Sequence, residues 1–178
     1  PGVYRQMLKG RETLPLPVLR HGLSAGEKLP DRIRDAWVAA TGTPVYEAYG
    51  MSECSTFISS SPTHPAAAGA SGQPQPGRHI AIVDEAGTPQ PIGQPGIIAV
   101  HRSDPGLMLE YIGAPEETAQ KFAGDWFLTG DEAQMDADYQ VTYLGRADDM
   151  MNAGGYRVSP IEVEQALLSH GGITAVAA

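Results

Sequence analysis

The sequence predicts an α/β subdomain, followed by a small β-barrel subdomain and by the start of a small α+β C-terminal domain. Three patterns support this fold class. An amphipathic helix lies between two short apolar runs, a series of short apolar strands follows, and a strong helix start comes near the end of the chain. We expect the three regions to span residues 1–65, 66–146 and 147–178.

The helix of the first region is predicted over residues 30–41. Pro30 stands at its start and Gly42 at its end, as is typical of helix boundaries. Its apolar side chains recur at i, i+3, i+4 and i+7, at the positions of Ile33, Ala36, Trp37 and Ala40.

Two apolar runs beside this helix predict strands. The run 16–19 predicts a buried strand that leads into Gly22, and the run 44–49 predicts a strand that ends at Gly50. The segment 62–77 is rich in Pro, Ala and Gly and is interpreted as a connection between subdomains.

The second region shows short strands at regular spacing, with a turn predicted at residues 84–87. Strands at this spacing favour a small antiparallel sheet or a distorted barrel. The predicted strands are 79–83, 96–101, 126–128 and 141–144.

The third region contains a predicted helix that begins at Ser159. Ser159 suits the N-cap, Pro160 the first helical position, and Glu162 the position three residues after the cap. We expect this helix to run to about His170 and to end at the glycine pair 171–172.

Composition narrows the class of protein. The net charge of −9 argues against a nucleic-acid surface, because phosphate contacts normally rely on clustered Lys and Arg. No apolar run approaches the roughly 18 residues of a membrane helix, and no signal peptide opens the chain. The chain lacks an initial Met and ends on an apolar run that resembles the start of a strand, so we expect both ends to be cut.

The cysteine and histidine content bears on redox setting and metals. The single cysteine, Cys54, excludes an internal disulfide, predicts a reduced cytoplasmic setting, and is interpreted as a small packed residue. The histidines have no spacing suited to a metal site, and they are His21, His64, His79, His101 and His170.

Two stretches place an acidic residue after an apolar strand. In the stretch 46–53, a hydroxyl beside a carboxylate suits phosphate and Mg²⁺, or else Ser52 caps a helix with Glu53 in its first turn. In the stretch 126–131, Asp131 suits the two hydroxyls of a ribose, or else it belongs to a hairpin turn. Both alternatives stay open for each stretch.

Two further stretches are rich in glycine. In the stretch 143–157, two arginines flank an acidic pair and a Gly-Gly dipeptide, a mixture that suits phosphate and hydroxyl acceptors. The alternative there is a surface ion pair between Arg146 and Asp148. The stretch 22–28 resembles a P-loop but lacks its Gly-Lys-Ser/Thr sequence, so a plain glycine-rich turn is an adequate interpretation.

Taken together, these stretches resemble the adenylate-forming superfamily of acyl-CoA synthetases, adenylation domains and luciferases. The resemblance covers nearly the whole chain, and it is strongest to the benzoate and medium-chain acyl-CoA ligases. The matching motifs are SAGEKLP at 24–30, YGMSE at 49–53, DPGLMLEYIGAPEETAQKF at 104–122, WFLTGD at 126–131 and YLGRADDMMNAGGYRVSPIEVE at 143–164.

The resemblance implies a role for each matching residue. Tyr49 would pack on adenine, Ser52 would touch phosphate, Glu53 would hold Mg²⁺, and Asp131 would accept from the ribose hydroxyls. The full implied nucleotide-binding set is Gly26, Glu27, Lys28, Glu47, Ala48, Tyr49, Gly50, Met51, Ser52, Asp131, Arg146 and Arg157. The implied catalytic residues are Ser52, Glu53 and Arg157.

Other residues would serve the acid, CoA and the motion between half-reactions. Gly154 and Gly155 would line the approach of the CoA pantetheine, and Asp148 would lie at the hinge of the C-terminal domain. Arg157 would reach phosphate or CoA. The implied acyl-pocket residues are Gly22, Ser24 and Gly50.

The resemblance also implies an activity and its partners. The parent protein would use ATP and Mg²⁺ to join a carboxylic acid to AMP, and would then transfer the acyl group to coenzyme A. A noncatalytic nucleotide-binding or interaction module, a carrier-protein adenylation domain and a fragment with no ligand are the alternatives. A homo-oligomer is compatible with the sequence. The phosphate loop and the catalytic lysine of the superfamily are absent from these residues, so we expect this polypeptide alone to be inactive.

Overall fold

The computed structural model describes residues 1–153, 156–168, 170, 172, 173 and 176, which form two compact units. The first unit consists of Pro1–Arg78, Pro105–Met108 and Asp138–Val141. The second consists of His79–Asp104, Leu109–Ala137 and the described part of Thr142–Ala178.

The first unit is an α/β layer built on a four-stranded sheet of order β1-β2-β3-β4. The strands β1 and β2 are parallel and α2 connects them, whereas β3 and β4 pair antiparallel. In chain order the elements are α1 (Gly2–Leu8), β1 (Gly22–Ala25), α2 (Asp31–Thr41), β2 (Val45–Met51), β3 (Ser55–Ser59) and β4 (Gln73–Pro74).

The predicted helix over residues 30–41 is confirmed as α2. Gly42 ends it in the left-handed conformation at φ 68°, where its N–H donates to the Val38 carbonyl over 2.8 Å. Its buried face carries Ile33 and Trp37, which pack with Leu29 and Val45. This apolar contact explains why the helix lies against the parallel strand pair.

The strand predicted at 16–19 is wrong. Val18 is 93% exposed, and the strand instead begins at Gly22. Pro15 and Pro17 lack the N–H groups that a strand ladder needs, so this stretch passes through a turn although Leu16 packs on the core.

The second unit contains a five-stranded antiparallel sheet that curls as a half barrel, with order β5-β6-β8-β7 and with β9 paired to β8. Its buried core is apolar and includes Val83, Ile98, Val100 and Phe127. The elements are β5 (Ile80–Val83), β6 (Gly96–His101), α3 (Pro115–Gln120), β7 (Phe122–Ala123), β8 (Trp126–Met135) and β9 (Val141–Arg146).

The strand predictions of this region are confirmed in position, and one of them is confirmed in length as well. The strand at 96–101 has the predicted bounds, whereas the strand predicted at 126–128 extends to Met135. Asp131 therefore lies within a strand, and its interpretation as part of a hairpin turn is wrong.

The last described elements are β10 (Met151–Ala153), β11 (Tyr156–Val158) and α4 (Pro160–Leu168). The helix start at Ser159 is confirmed, because its hydroxyl accepts from the Ile161 N–H over 3.2 Å and its own N–H donates to Glu162 over 3.4 Å. The described helix spans Pro160–Leu168, and His170 is not part of it. Its predicted end at 171–172 lies partly outside the described residues.

The described helices are all short. None of them is long and apolar enough to cross a membrane. The helices α1 and α3 and the hairpin β10–β11 were not anticipated from the sequence pattern, because each is shorter than the window over which periodicity can be recognised.

Candidate functional site

The candidate site of the first unit begins where β2 turns into β3. Ser52, Glu53 and Cys54 form a tight turn between these antiparallel strands, so the helix-cap interpretation of Ser52 is wrong. Ser52 is exposed and Glu53 half-buried, while Cys54 is 1% exposed, as expected for a packed residue. The Glu53 carbonyl accepts the Met108 N–H over 2.6 Å, which fixes the turn.

Gly50 permits the close crossing of β2 and β3. The pairing register shifts between Tyr49 and Gly50, and a Cβ on Gly50 would overlap the backbone of Ser55 and Thr56. A residue with a side chain does not fit there, because the obstacle is backbone rather than a flexible side chain. Gly50 thus brings β3 against β2 just before the turn.

Tyr49 is held by an aromatic contact. Its ring meets the buried Phe57 ring edge-on, with centroids 5.2 Å apart and an interplanar angle of 79°. Edge-to-face contacts of this kind fix ring orientation. The half-buried Tyr49 ring is therefore a preorganised surface of the kind on which a flat base stacks.

The glycine-rich stretch 22–28 consists of β1 followed by a turn. Gly26 adopts φ 90°, a conformation that tight turns use and that glycine adopts readily. Nothing lies within 4 Å of the position that a Cβ would take there. Two of the residues expected to bind nucleotide, Lys28 and Glu47, point toward one another, with the Lys28 Nζ 3.5 Å from the Glu47 carboxylate. The structure therefore brings this turn and β2 together.

Gly22 and Ser24 lie on β1, opposite Val45 and Glu47 of β2. Ser24 is 3% exposed, and its hydroxyl has no hydrogen-bond partner among the described residues. A Cβ on Gly22 would meet the Tyr4 hydroxyl. These positions are interior, so their acyl-pocket role stays a prediction.

The candidate site of the second unit centres on Asp131, where β8 bulges against β6. The register passes from Ile97 opposite Glu132 to Ala99 opposite Leu128, which leaves extra β8 residues around Gly130 at φ 81°. Bulges of this kind re-aim side chains and are common beside active sites. Asp131 lies in this irregular part of the strand.

Tyr143 on β9 is the residue of this site that the sequence analysis missed. Its hydroxyl donates to the Asp131 carboxylate over 3.3 Å. Burial, followed by the charge of Asp131 and the hydrogen bond to it, raises the pKa of Tyr143. The only sequence signal was its place three residues before Arg146.

Arg146 and Asp148 form the expected ion pair. Arg146 donates from Nε to Asp148 Oδ1 over 3.0 Å and from Nη2 to Oδ2 over 3.4 Å. The hydrogen bond from Arg146 lowers the pKa of Asp148, and the same bond raises the pKa of Arg146. Both side chains are more than half exposed, at 54% and 69%, so they remain accessible to a ligand.

The guanidinium of Arg146 also lies near Asp131. A Cβ on Gly130 would be 3.9 Å from Arg146 Nη2, and the Ala147 N–H donates to the Gly130 carbonyl over 2.8 Å. The second unit thus assembles a carboxylate, a phenol and a guanidinium around one bulge. This set of acceptor and donors suits vicinal hydroxyls and an anion.

Some predicted residues lie outside what the structure describes. Gly154 and Gly155 are outside the described residues, and of Arg157 only the backbone is described, in β11 opposite Asn152. Their roles toward CoA and phosphate stay predictions.

Metal ligands are sparse in the described part of the chain. No group of three or more His, Cys, Asp or Glu side chains there could hold a metal ion. Glu53 fits Mg²⁺ only as a single carboxylate, which is compatible with an ion that keeps waters and binds substrate phosphates.

Comparison with known proteins supports a nucleotide site. A family model described as "AMP-binding enzyme" matches residues 1–112. The chain is 40% identical over 155 residues to acyl-coenzyme A synthetase ACSM5, mitochondrial, of Mus musculus, covering 85% of this chain and 27% of that protein. It is 36% identical to the uncharacterized acyl-CoA ligase YtcI of Bacillus subtilis (strain 168), covering 96% and 32%.

Solved structures give the same result. The anthranilate CoA ligase AuaEII in complex with anthranoyl-AMP superposes with a TM-score of 0.80 at 36% identity, over 89% of this chain and 30% of that one. ATP-bound MatB from Rhodopseudomonas palustris gives a TM-score of 0.88 at 30% identity, over 99% and 36%. The chain therefore spans about a third of the length of the proteins it matches.

Proposed function

The chain belongs to the AMP-binding enzyme family, and from that premise we propose that it is part of an ATP-dependent acid–thiol ligase. The parent protein activates a carboxylic acid as acyl-AMP and transfers the acyl group to coenzyme A. The observation that carries the proposal is the cluster of Asp131, Tyr143 and Arg146 on a strand bulge, in a chain whose relatives are named acyl-CoA synthetases and ligases.

The reaction has two steps. The carboxylate oxygen attacks the α-phosphorus of ATP, forming the acyl-phosphate bond as the bond to pyrophosphate breaks. The CoA sulfur, as thiolate, then attacks the acyl carbon and AMP leaves with the bonding electrons. Such steps depend on positioning and on electrostatic stabilisation more than on a protein acid or base.

The first unit supplies the base and phosphate contacts. Tyr49, held on Phe57, stacks on adenine, and the exposed hydroxyl of Ser52 donates to phosphate. Glu53 would help to hold Mg²⁺, which would neutralise charge on the phosphates. Gly50 allows the strand crossing that places these side chains at the start of one turn.

Residues of the second unit are assigned to the ribose hydroxyls and to the hinge. Asp131 accepts from the ribose hydroxyls, Tyr143 orients its carboxylate, and Arg146 donates nearby. Asp148 lies at the hinge, so its ion pair with Arg146 belongs to one of the two conformations. Gly154, Gly155 and Arg157 serve CoA and phosphate in the other.

The acid is an aryl or medium-chain carboxylic acid. The relatives support this class, since they include an anthranilate CoA ligase and a benzoate CoA ligase, each over part of its length.

The subdomain boundaries proposed at residues 65 and 146 are those that the resemblance to the superfamily implies. A cytoplasmic setting stays a prediction, because several relatives are named mitochondrial.

The test uses the full-length protein that contains this chain. It is incubated with ATP, Mg²⁺, CoA and a panel of aryl and aliphatic acids, while pyrophosphate release and CoA thioester are measured. We expect both products with at least one acid, and a rise of about tenfold or more in the KM for ATP in Asp131→Ala, since a charged hydrogen bond to ligand is lost.

The control is Asp138→Ala, which removes a carboxylate at an exposed position before β9. It should leave the KM for ATP within about twofold of the starting value. Thioester formed only on a carrier-protein thiol would contradict the CoA assignment, and ATP binding without pyrophosphate release would favour a noncatalytic module.

A further inference from the structure

Lys28 and Glu47 form a nearly buried ion pair in the first unit. Glu47 on β2 is 5% exposed, and the Lys28 side chain beside it is 12% exposed. Charges at such depth are costly unless they are paired and hydrogen-bonded. Their partners therefore show what the pair holds in place.

Besides Lys28, three further described groups contact the Glu47 carboxylate. One carboxylate oxygen accepts from the Ser71 hydroxyl over 2.7 Å and lies 3.5 Å from Lys28 Nζ. The other accepts from the Leu29 N–H over 3.3 Å and lies 3.7 Å from Arg34 Nη2. One carboxylate thus satisfies a backbone donor, a hydroxyl and two cations.

Lys28 extends the network to a third segment. Its Nζ donates to the Gly69 carbonyl over 3.0 Å and to the Ser71 hydroxyl over 3.2 Å. The loop at residues 69–71 is thereby joined to the turn at 26–29. The same carboxylate anchors both segments to β2.

These contacts bring together the parts of the first unit that we assign to adenine. The turn after β1 carries Gly26 and Glu27, and β2 carries Tyr49 two residues after Glu47. Side chains two apart on a strand share a face, although the register shift at Tyr49 modifies this locally. The position of the turn relative to β2 is set by bonds that end on Glu47.

We propose that Lys28 and Glu47 are positioning residues, which fix the adenine-lining turn against β2 through their mutual contact and do not bind nucleotide with their own charged groups. This inference rests on the proposed function. It assigns the two side chains a positioning role instead of the direct contact with nucleotide that the resemblance implies. It follows because the Lys28 and Glu47 charges are engaged with protein groups and nearly buried.

The kinetic test compares Lys28→Met and Glu47→Gln in the full-length protein. Each variant is expected to raise the KM for ATP about tenfold, since one charge-assisted hydrogen bond is worth about that factor. The kcat and the KM for the carboxylic acid should stay within about twofold, because the Lys28 and Glu47 side chains bond to the turn at 26–29 and to the loop at 69–71. A general loss of structure would instead lower kcat and the fraction of active enzyme, and that pattern would overturn the proposal.

The matched control is Arg34→Met. It removes a cation that lies 3.7 Å from Glu47 but donates its hydrogen bond to Asp31, over 2.6 Å. Its KM for ATP should stay within about twofold of the starting value. An equal rise in this variant would overturn the proposal, since the effect would then be one of net charge.

A second measurement does not depend on catalysis. Amide hydrogen exchange at residues 26–29 and 69–71 should become faster in Lys28→Met than in Arg34→Met, while exchange in β3 stays unchanged. Equal exchange in the two variants would contradict the positioning role. If the starting protein releases no pyrophosphate with any acid, the proposed function fails, and the exchange comparison alone decides whether the turn is held by this pair.

Discussion

At the scale of single residues, the Tyr143 hydroxyl is important because it aims a carboxylate. Its bond to Asp131 holds that carboxylate in one orientation, and β8 and β9 fix both partners by pairing. The bond also requires the phenol to stay protonated. A tyrosinate there would face the negative charge of Asp131 at hydrogen-bond distance.

The pH dependence of Tyr143 follows from its raised pKa. Burial first, and then the charge of Asp131, favours the neutral phenol in the folded state. The contribution of Tyr143 to the free energy of unfolding is therefore fully present below about pH 10, the ordinary tyrosine pKa. This contribution is lost as the pH rises through the pKa of Tyr143 in the folded state. An absorbance titration of tyrosinate should show Tyr143 ionising late, together with Tyr4, whose pKa is also raised by burial.

Tyr143→Phe checks the assignment and the function together. It should remove one of the two late-ionising groups and raise the KM for ATP about fivefold, since a partly exposed bond to a charge is lost. Tyr139→Phe is the control, because Tyr139 is 65% exposed. A late step of unchanged amplitude in Tyr143→Phe would contradict the assignment.

At the scale of elements, irregularities in regular strands shape the candidate site of each unit. The β2–β3 pair changes register between Tyr49 and Gly50, and the β6–β8 pair changes register beside Gly130. A regular ladder alternates side chains between two faces, whereas a bulge turns neighbouring residues toward a new direction. Gly50 is needed because a Cβ there would overlap the backbone of β3, and Gly130 is favoured because its φ is 81°.

Gly50→Ala tests this at β2. The added methyl would overlap the Ser55 carbonyl and lie 2.6 Å from the Thr56 Cα, so the strands must separate. We expect the free energy of unfolding to fall by about 1–3 kcal/mol, as overpacking usually costs. Chemical denaturation monitored by Trp fluorescence measures the change.

Gly2→Ala is the control for this substitution. Nothing lies within 4 Å of the position that its Cβ would take, and its φ is not positive. The free energy of unfolding should change by less than about 0.5 kcal/mol. An equal loss in both variants would show that the β2–β3 crossing does not limit stability.

At the scale of the whole molecule, the chain consists of two units with their own sheets, and the last elements have few strands to pair with. The hairpin β10–β11 forms a separate two-stranded sheet, and α4 follows it. A two-stranded hairpin is marginally stable in water without further packing. Some packing is present, since the Ser159 hydroxyl donates to the Leu144 carbonyl.

We therefore expect faster amide exchange after Asp148 than in β5, β6 and β8. The reason is that each of these strands pairs within the larger sheet around the buried core of the second unit. Exchange of the isolated chain, followed by mass spectrometry of its peptides, measures the difference. Protection of Pro160–Leu168 equal to that of Gly96–His101 would count against the expectation.

Local sequence determined those elements whose signals lie within a few residues. The helix α2 follows from its apolar spacing and from Gly42, and the start of α4 follows from the Ser159 cap. The strand at 96–101 follows from one apolar run between glycine and polar residues. These features could be read from sequence because their interactions are made by near neighbours, and the motif order likewise led to the family.

Tertiary structure decided what depends on residues far apart in the chain. The contact of Lys28 with Gly69, the choice of Glu47 as its anion and the bond from Tyr143 to Asp131 are set by strand pairing and by loop packing. The length of β8 was decided in the same way, by its partner β6 rather than by its own pattern. The sequence thus determines which charged and polar groups are present, but the partner of each charge is fixed only when the sheets form. A buried charge can no longer be solvated by water, so it must pair with the protein groups that the fold brings beside it.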